Sequence, residues 1–192
     1  ASRAGEFRER KEELKLNREE FKEDLKRKRE EARELFKEKR ELFKEKLETI
    51  SDERKQKLVE RLDNRMSEVN EHRTSKMSEY LDKMSEILEK VIARAAEAAA
   101  NGKDTSSVDS AVTSAQAAIS AAQDAVSAQA GKDYIIEVTS ENGLKNVVGS
   151  EMNSLQSDLK AVYDQLVAAR KAVSVAVRTL GQVLGSGMTP TP

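Results

Sequence analysis

Few residues in this sequence have the types and spacing that chemistry requires. His72 is the only histidine, it stands beside Glu71 and Arg73 in a helical pattern, and the chain has no cysteine to complete a metal site. Its setting predicts a surface residue. The many carboxylates recur regularly, as on a solvated helix face, and the chain has neither a glycine-rich phosphate loop nor a nucleophile elbow. We therefore expect no catalytic residue, metal ligand, cofactor or small-molecule substrate, and no enzyme.

Three arginines, Arg18, Arg29 and Arg40, recur at a spacing of eleven residues. Aligned on one helix face, they could meet phosphates or lipid head groups. A glutamate follows each of them and neutralises the row. Because lipid-binding helices also use eleven-residue repeats, an amphipathic helix on a lipid surface remains an alternative function.

Three methionines, Met66, Met77 and Met84, each stand between a basic residue and the pair Ser-Glu. Their helical spacing predicts core positions. Because thioethers adapt to varied partners, a flexible surface for a protein partner is the alternative.

The composition excludes an ordinary globule. Of 192 residues, 38% are hydrophobic and 4% aromatic, whereas 36% are charged, which leaves too little material for one compact core. The charges lie mostly before residue 100 and alternate in sign, so no broad field attracts nucleic acid. We expect an elongated or oligomeric protein that does not bind nucleic acid.

An eleven-residue repeat runs through the charged half, as in REEFKEDLKRK at residues 18–28 and REEARELFKEK at residues 29–39. Eleven residues per three turns keep an apolar stripe almost parallel to the helix axis. The stripe is narrow and needs another helix to cover it, which predicts a coiled coil and self-association. Its anchor positions are Leu14, Leu25, Phe36, Leu47, Leu58, Val69, Tyr80 and Val91.

The repeat leaves two paths for the chain open. One helix over residues 6–100 is favoured because the anchor passes from Leu47 to Leu58 in phase. The alternative is a break at residues 49–53, where Thr-Ile-Ser-Asp-Glu could cap a new helix and fold the rod into an antiparallel hairpin.

From Met77 onward the apolar spacing becomes a heptad, which predicts a bundle. Asn101-Gly102 ends the first helix, and Asp104, Thr105 or Ser106 caps the next. The second helix is predicted over residues 106–129 and the third over residues 149–184. The fold class is thus all-α, with a helical rod or coiled coil leading into a three-helix up-down-up bundle.

Residues 131–148 form a long connection with an alternating run. We expect Tyr134, Ile136 and Val138 either to pack on the chain's own bundle or to pair as a strand with another chain, and the three are the candidate interaction surface. The predicted organisation is a rod over residues 1–76, a bundle over residues 77–184 that shares the rod's last turns, and a disordered tail over residues 185–192.

The segments DERKQKLVERL at residues 52–62, NEHRT at residues 70–74, NGKD at residues 101–104 and AGKDY at residues 130–134, with the Ala-rich helix between the last two, resemble a family. It consists of uncharacterised exported helical proteins of small-genome candidate-phylum bacteria, and the resemblance covers residues 50–180. It implies an extracellular or cell-envelope location and no known activity, although the chain as given begins without a signal peptide.

The expected function is that of a structural or interaction protein of the cell envelope or extracellular space, of the spacer or adhesion type. Its partner is expected to be a second copy, through the rod, or an unidentified protein.

Overall fold

The computed structural model describes residues 2–185, and these residues form helices without any strand. The all-α class is thereby confirmed. The helices are α1 (Arg3–Leu35), α2 (Lys37–Leu47), α3 (Glu53–Ala100), α4 (Ser106–Ala130) and α5 (Leu144–Gly185). The predicted tail lies outside the described residues except for Gly185, which ends α5.

The chain forms two compact units, each built from distant stretches of sequence. Within the described chain, the first unit comprises residues 2–23, 78–125 and 164–185, and the second comprises residues 24–77 and 126–163. The predicted division into contiguous segments, 1–76 and 77–184, is corrected, because α1, α3, α4 and α5 each contribute residues to both units.

The predicted continuous helix over residues 6–100 is wrong, since the chain turns between α2 and α3. The Asp52 carboxylate accepts hydrogen bonds from the N–H groups of Arg54 at 2.9 Å and Lys55 at 3.4 Å, and so caps α3. The Thr49 hydroxyl donates to the Lys46 carbonyl at 2.6 Å at the end of α2, and Ile50 is buried in the turn. The hairpin alternative is therefore the one observed.

A second, smaller interruption separates α1 from α2 at Phe36, whose ψ is 1°. The interruption is confined to this residue. Its N–H still donates to the Ala32 carbonyl and its carbonyl still accepts from the Arg40 N–H, both at 3.0 Å. Helical direction is thus largely kept through Phe36.

In the first unit, four helical segments share one core. The heptad positions from Met77 to Ala98 and from Val108 to Val126 are buried, as predicted. The N-terminal part of α1 joins them: Phe7 is 1% exposed, and Arg18 pairs with Glu89 of α3 at 3.2 Å. The predicted three-helix bundle is therefore corrected to four segments, because the hairpin returns α1 to the bundle.

The turn between α3 and α4 follows the predicted chemistry. Gly102 adopts a φ of 76°, a left-handed conformation that favours glycine, and the Lys103 N–H donates to the Ala98 carbonyl at 3.0 Å. The Asp104 carboxylate then accepts the Ser106 N–H at 3.0 Å and caps α4. Lys103 also donates its ammonium to the carbonyls of Val183 and Leu184, which stabilises the C-terminal end of α5.

The second unit has an apolar core between α2, the N-terminal half of α3, the connection after α4 and the start of α5. Apolar residues from all four contribute to it. Its buried members are Phe43, Leu47, Ile50, Val59, Met66, Tyr134, Ile136, Val138, Leu144 and Leu155.

The eleven-residue stripe holds in α1 and α2 but is interrupted in α3, where Val91 is the one buried anchor among four. Leu14, Leu25 and Leu47 are buried, whereas Leu58 is 51% exposed and Tyr80 is 57% exposed. The inward face of α3 follows a heptad from Asp63, earlier than the predicted change at Met77. The heptad was hidden because its buried positions before Met77 include polar residues, namely Asp63, Asn70 and Thr74.

Two leucines of the second unit test this change of phase. Leu25→Ala should lower the free energy of unfolding by about 2–5 kcal/mol, because it leaves a cavity beneath a buried position. Leu58→Ala, the matched control on the same eleven-residue series, should change it by about 0.5 kcal/mol or less. Urea denaturation of both variants measures the difference, and equal losses would contradict the observed phase.

Candidate functional site

The connection after α4, residues 131–143, packs in extended form on the second unit. Tyr134, Ile136 and Val138 are 4%, 1% and 6% exposed. The alternation predicted for them is present, but their side chains point into the chain's own core. Of the two open alternatives, intramolecular packing is therefore observed, and these residues are core residues rather than an exposed interaction surface.

The buried carboxylate of Asp63 fastens this connection to the helices. It is fully buried on α3 and accepts hydrogen bonds from the guanidinium of Arg40 at 3.0 Å and from the N–H of Ile136 at 3.0 Å. The same guanidinium donates to the carboxylate of Asp133 and, at 2.6 Å, to the hydroxyl of Ser67. One arginine of α2 thus joins α3 and the extended connection.

The electrostatics of this cluster balance burial against pairing. Burial raises the pKa of the Asp63 carboxyl, while the Ile136 N–H and the charge of Arg40 oppose that rise. For Arg40, burial disfavours the charge, but hydrogen bonding and attraction from Asp133 and Asp63 outweigh it and raise the pKa. The guanidinium therefore remains charged and is needed to balance the carboxylates.

A second cluster closes the C-terminal end of α4. The Asn70 amide donates to the carbonyls of Gln129 at 3.1 Å and Lys132 at 3.0 Å, and the Gln129 carbonyl also accepts the Lys132 N–H at 3.1 Å. The Gln129 amide in turn donates to the Asn70 side-chain oxygen and to the Tyr134 hydroxyl, each at 2.8 Å. The Tyr134 hydroxyl donates to Asp158 of α5 at 2.6 Å.

The pKa values of Tyr134 and Asp158 are shifted in opposite directions. Burial, followed by the hydrogen bond to Asp158, raises the pKa of the Tyr134 phenol above its ordinary value. Hydrogen bonds from Lys132 and Tyr134 lower the pKa of Asp158. The phenol therefore stays protonated and the carboxylate ionised at neutral pH, which suits a fixed hydrogen bond better than proton transfer.

A third contact lies at the exposed end of the connection. Glu141 accepts hydrogen bonds from the hydroxyl of Ser51 at 2.6 Å and from the ammonium of Lys55 at 2.9 Å. The hydrogen bond from Ser51 and then that from Lys55 lower the pKa of Glu141 to about 2. The hairpin turn and the connection are thus held together by a charge-assisted contact.

The arginine row identified in the sequence faces other helices of the chain. Arg18 pairs with Glu89, Arg29 donates to the hydroxyls of Thr74 and Ser75 at 3.2 and 2.8 Å, and Arg40 joins the Asp63 cluster. Arg29 and Arg40 line an open cleft of about 500 Å³ in the second unit. The hydrogen bonds that both arginines donate go to groups of the protein itself, and within the described residues the Nε of Arg29 is buried without a hydrogen-bond partner.

Sequence reasoning located the extended connection but missed the polar residues that hold it. Asp63 and Asn70 lie at heptad positions of α3, and Gln129 lies at a heptad position of α4. A search for polar residues at heptad positions would have found Asp63 and Asn70, which lie fourteen and seven residues before Met77. His72 is exposed, as predicted, and Met66, Met77 and Met84 are buried.

Comparison with protein-family models, curated proteins and solved structures finds no match to this chain. Within residues 2–185, each helix is too short or too polar to cross a bilayer. The same part of the chain has no cluster of histidine and acidic side chains arranged to hold a metal ion.

The Asp63 cluster predicts a large cost for losing its cation. Arg40→Met should lower the free energy of unfolding by about 3 kcal/mol, because two carboxylates lose their compensating charge. Asp63→Asn should lower the free energy of unfolding less in the Arg40→Met variant than in the wild type. The coupling energy of this double-mutant cycle, measured by urea denaturation, should exceed about 1 kcal/mol.

The control for this cycle is Arg33→Met, the same substitution at an exposed ion pair with Glu71 that spans 3.7 Å. It should change the free energy of unfolding by less than about 1 kcal/mol. A similar loss in both single variants, or additive costs in the double variant, would contradict a buried cluster.

Glu141 predicts a defined pH dependence. Its pKa is lowered from 4.5 to about 2, so its contribution to stability is complete above pH 4.5 and is lost as the pH falls towards 2. Glu141→Gln should therefore be less stable than wild type at pH 6, and the difference should shrink between pH 4.5 and 2. Urea denaturation at several pH values measures this, and a difference that stays constant from pH 6 to pH 2 would contradict the contact.

Proposed function

We propose that the protein is a non-enzymatic structural or interaction protein whose charged helices pair within one chain. The observation that carries the proposal is the use of the narrow stripe of α1 and α2. Its buried members lie against other segments of the same chain, in both units. A stripe covered in this way needs no second copy to stabilise its helices.

Ion pairs between helices support this intrachain pairing. Arg18 and Lys22 of α1 reach Asp82 of α3 at 3.6 and 3.4 Å in the first unit. In the second unit, Arg40 of α2 reaches Asp63 of α3 at 3.0 Å. Residue numbers rise on one helix as they fall on the other, so α3 runs antiparallel to its partner segment within each unit.

The interior supports a structural role. The polar groups of the three clusters around Asp63, Asn70 and Glu141 fasten the connection between α4 and α5, and a satisfied buried network favours one arrangement of the surrounding elements. The finer form of the proposal is a spacer or adhesion-type protein. The cell envelope or extracellular space remains its proposed location on the family resemblance alone.

The alternative function is binding to a lipid surface through the eleven-residue repeat. A lipid-induced amphipathic helix would require the stripe to leave its intrachain partners. The exposed faces of α1 mix both signs of charge, which gives anionic lipid little to attract. We therefore favour the structural role.

Solution mass and helicity test the proposal together. Light scattering coupled to size-exclusion chromatography should give the monomer mass, 21.4 kDa, over a hundredfold range of concentration. Circular dichroism should show full helicity without lipid and no gain with vesicles of phosphatidylglycerol, because intrachain packing already forms the helices. Helicity that appears only with vesicles would favour the lipid alternative, and a concentration-dependent dimer with poorly helical monomers would contradict intrachain pairing.

A further inference from the structure

An open groove lies between α3 and α5 in the first unit, with a volume of about 440 Å³. Val91 and Leu180 form its buried floor. Three exposed apolar side chains stand along it: Ile87 is 44% exposed, Val177 45% and Leu184 37%. Large apolar side chains exposed in one concave place are typical of a protein-binding surface.

Two cations flank this apolar floor without a partner of their own. Within residues 2–185, neither Lys90 nor Arg94 forms an ion pair, and both side chains line the groove. The nearby carboxylates Glu86 and Glu89 are directed at Arg18 instead, at 3.8 and 3.2 Å. The groove thus combines apolar area with uncompensated positive charge.

The facing helix does not offset this charge. Residues 165–185 of α5 contain Arg170, Lys171 and Arg178 but no aspartate or glutamate. The whole chain carries 34 basic and 35 acidic residues. None of the three α5 cations lines the groove, so the charge of the groove comes from Lys90 and Arg94, and α5 places no carboxylate beside them.

We propose that this groove binds an acidic amphipathic helix of a partner protein. Seven residues separate Ile87 from Arg94, and seven separate Val177 from Leu184, so each wall is about 10 Å long at 1.5 Å per residue. This length accommodates two turns of a helix with apolar residues at i, i+4 and i+7. Its acidic side chains would meet Lys90 and Arg94.

The groove fits other occupants less well. A twofold contact with a second copy would bring Lys90 and Arg94 of one chain close to the same cations of the other, which is repulsive. A lipid surface is best met by a protruding apolar face, whereas this floor lies between two helices. The inference rests on the proposed role as an interaction protein and names the chemistry of its partner.

Two labelled peptides of fourteen residues test the proposal by fluorescence anisotropy. Both carry leucine at positions i, i+4, i+7 and i+11; one has glutamate at the flanking positions and the other has lysine. The full chain should bind the acidic peptide at least tenfold more tightly than the basic one. Lys90→Glu with Arg94→Glu should reverse this preference, and Ile87→Ser with Val177→Ser should weaken binding of the acidic peptide at least tenfold.

The matched control is Lys171→Glu with Arg178→Glu, the same charge change at α5 residues that do not line the groove. It should retain the preference for the acidic peptide, and circular dichroism should show that all variants are folded. Equal binding of the acidic peptide by wild type and by the Lys90/Arg94 variant would overturn the proposal, as would no binding at all.

Vesicles of phosphatidylglycerol distinguish a failure of this inference from a failure of the proposed function. If they sediment with the protein and displace the acidic peptide, the groove belongs to a lipid-binding protein and both proposals fall. If neither peptide nor vesicles bind the monomeric, helical chain, only the groove proposal falls.

Discussion

The buried carboxylate of Asp63 is the constraint on which the second unit depends. A charge removed from water requires a matched cation and hydrogen-bond donors, and only one arrangement of α2, α3 and the connection brings Arg40 and the Ile136 N–H to it. A shift of one residue between α2 and α3 would leave the carboxylate uncompensated. Apolar stripes tolerate such shifts far better, so the polar cluster sets the register that the stripe leaves loose.

The same constraint explains why a long irregular connection is stable. Residues 131–143 form few backbone hydrogen bonds with one another, and an extended segment exposes its N–H and C=O groups. Asp63 accepts one of these N–H groups, Asn70 satisfies two carbonyls near the end of α4, and Glu141 joins the far end to Ser51. The alternating apolar side chains then fill the core between these fixed points.

The sequence was sufficient to predict those elements whose residue pattern is compatible with a single local structure. The apolar residues at the heptad positions of α4 from Val108 to Val126 indicate a packed helix, and Asn101-Gly102 followed by Asp104 indicates a turn. The hairpin was different, because Leu47 and Leu58 keep their spacing of eleven whether or not the chain turns between them. The Asp52 cap and the burial of Ile50 distinguish the hairpin from a continuous helix. The burial of Ile50 is seen only in the folded structure.

The heptad of α3 shows a related limit. Asp63, Asn70 and Thr74 read as solvated residues by type, and a search for apolar periodicity passes over them. They can occupy core positions only because Arg40, Gln129 and Arg29 arrive from elsewhere in the chain to pair with them. Two arginines of the predicted surface row, Arg29 and Arg40, thus pair with polar residues of α3 that the sequence predicts to be solvated. The sequence shows neither the partners of the arginines nor the burial of these polar residues.

Pairing within the chain also determines which charged side chains form no ion pair. Because Arg18 engages Glu86 and Glu89, these carboxylates are directed away from Lys90, which follows them on α3. Intramolecular packing thus uses the acidic side chains on one face of α3 and leaves the basic side chains on another, beside α5, whose last twenty-one residues carry no carboxylate. In the proposed groove, the positive charge that would select an acidic partner follows from how a nearly neutral sequence neutralises its own interior.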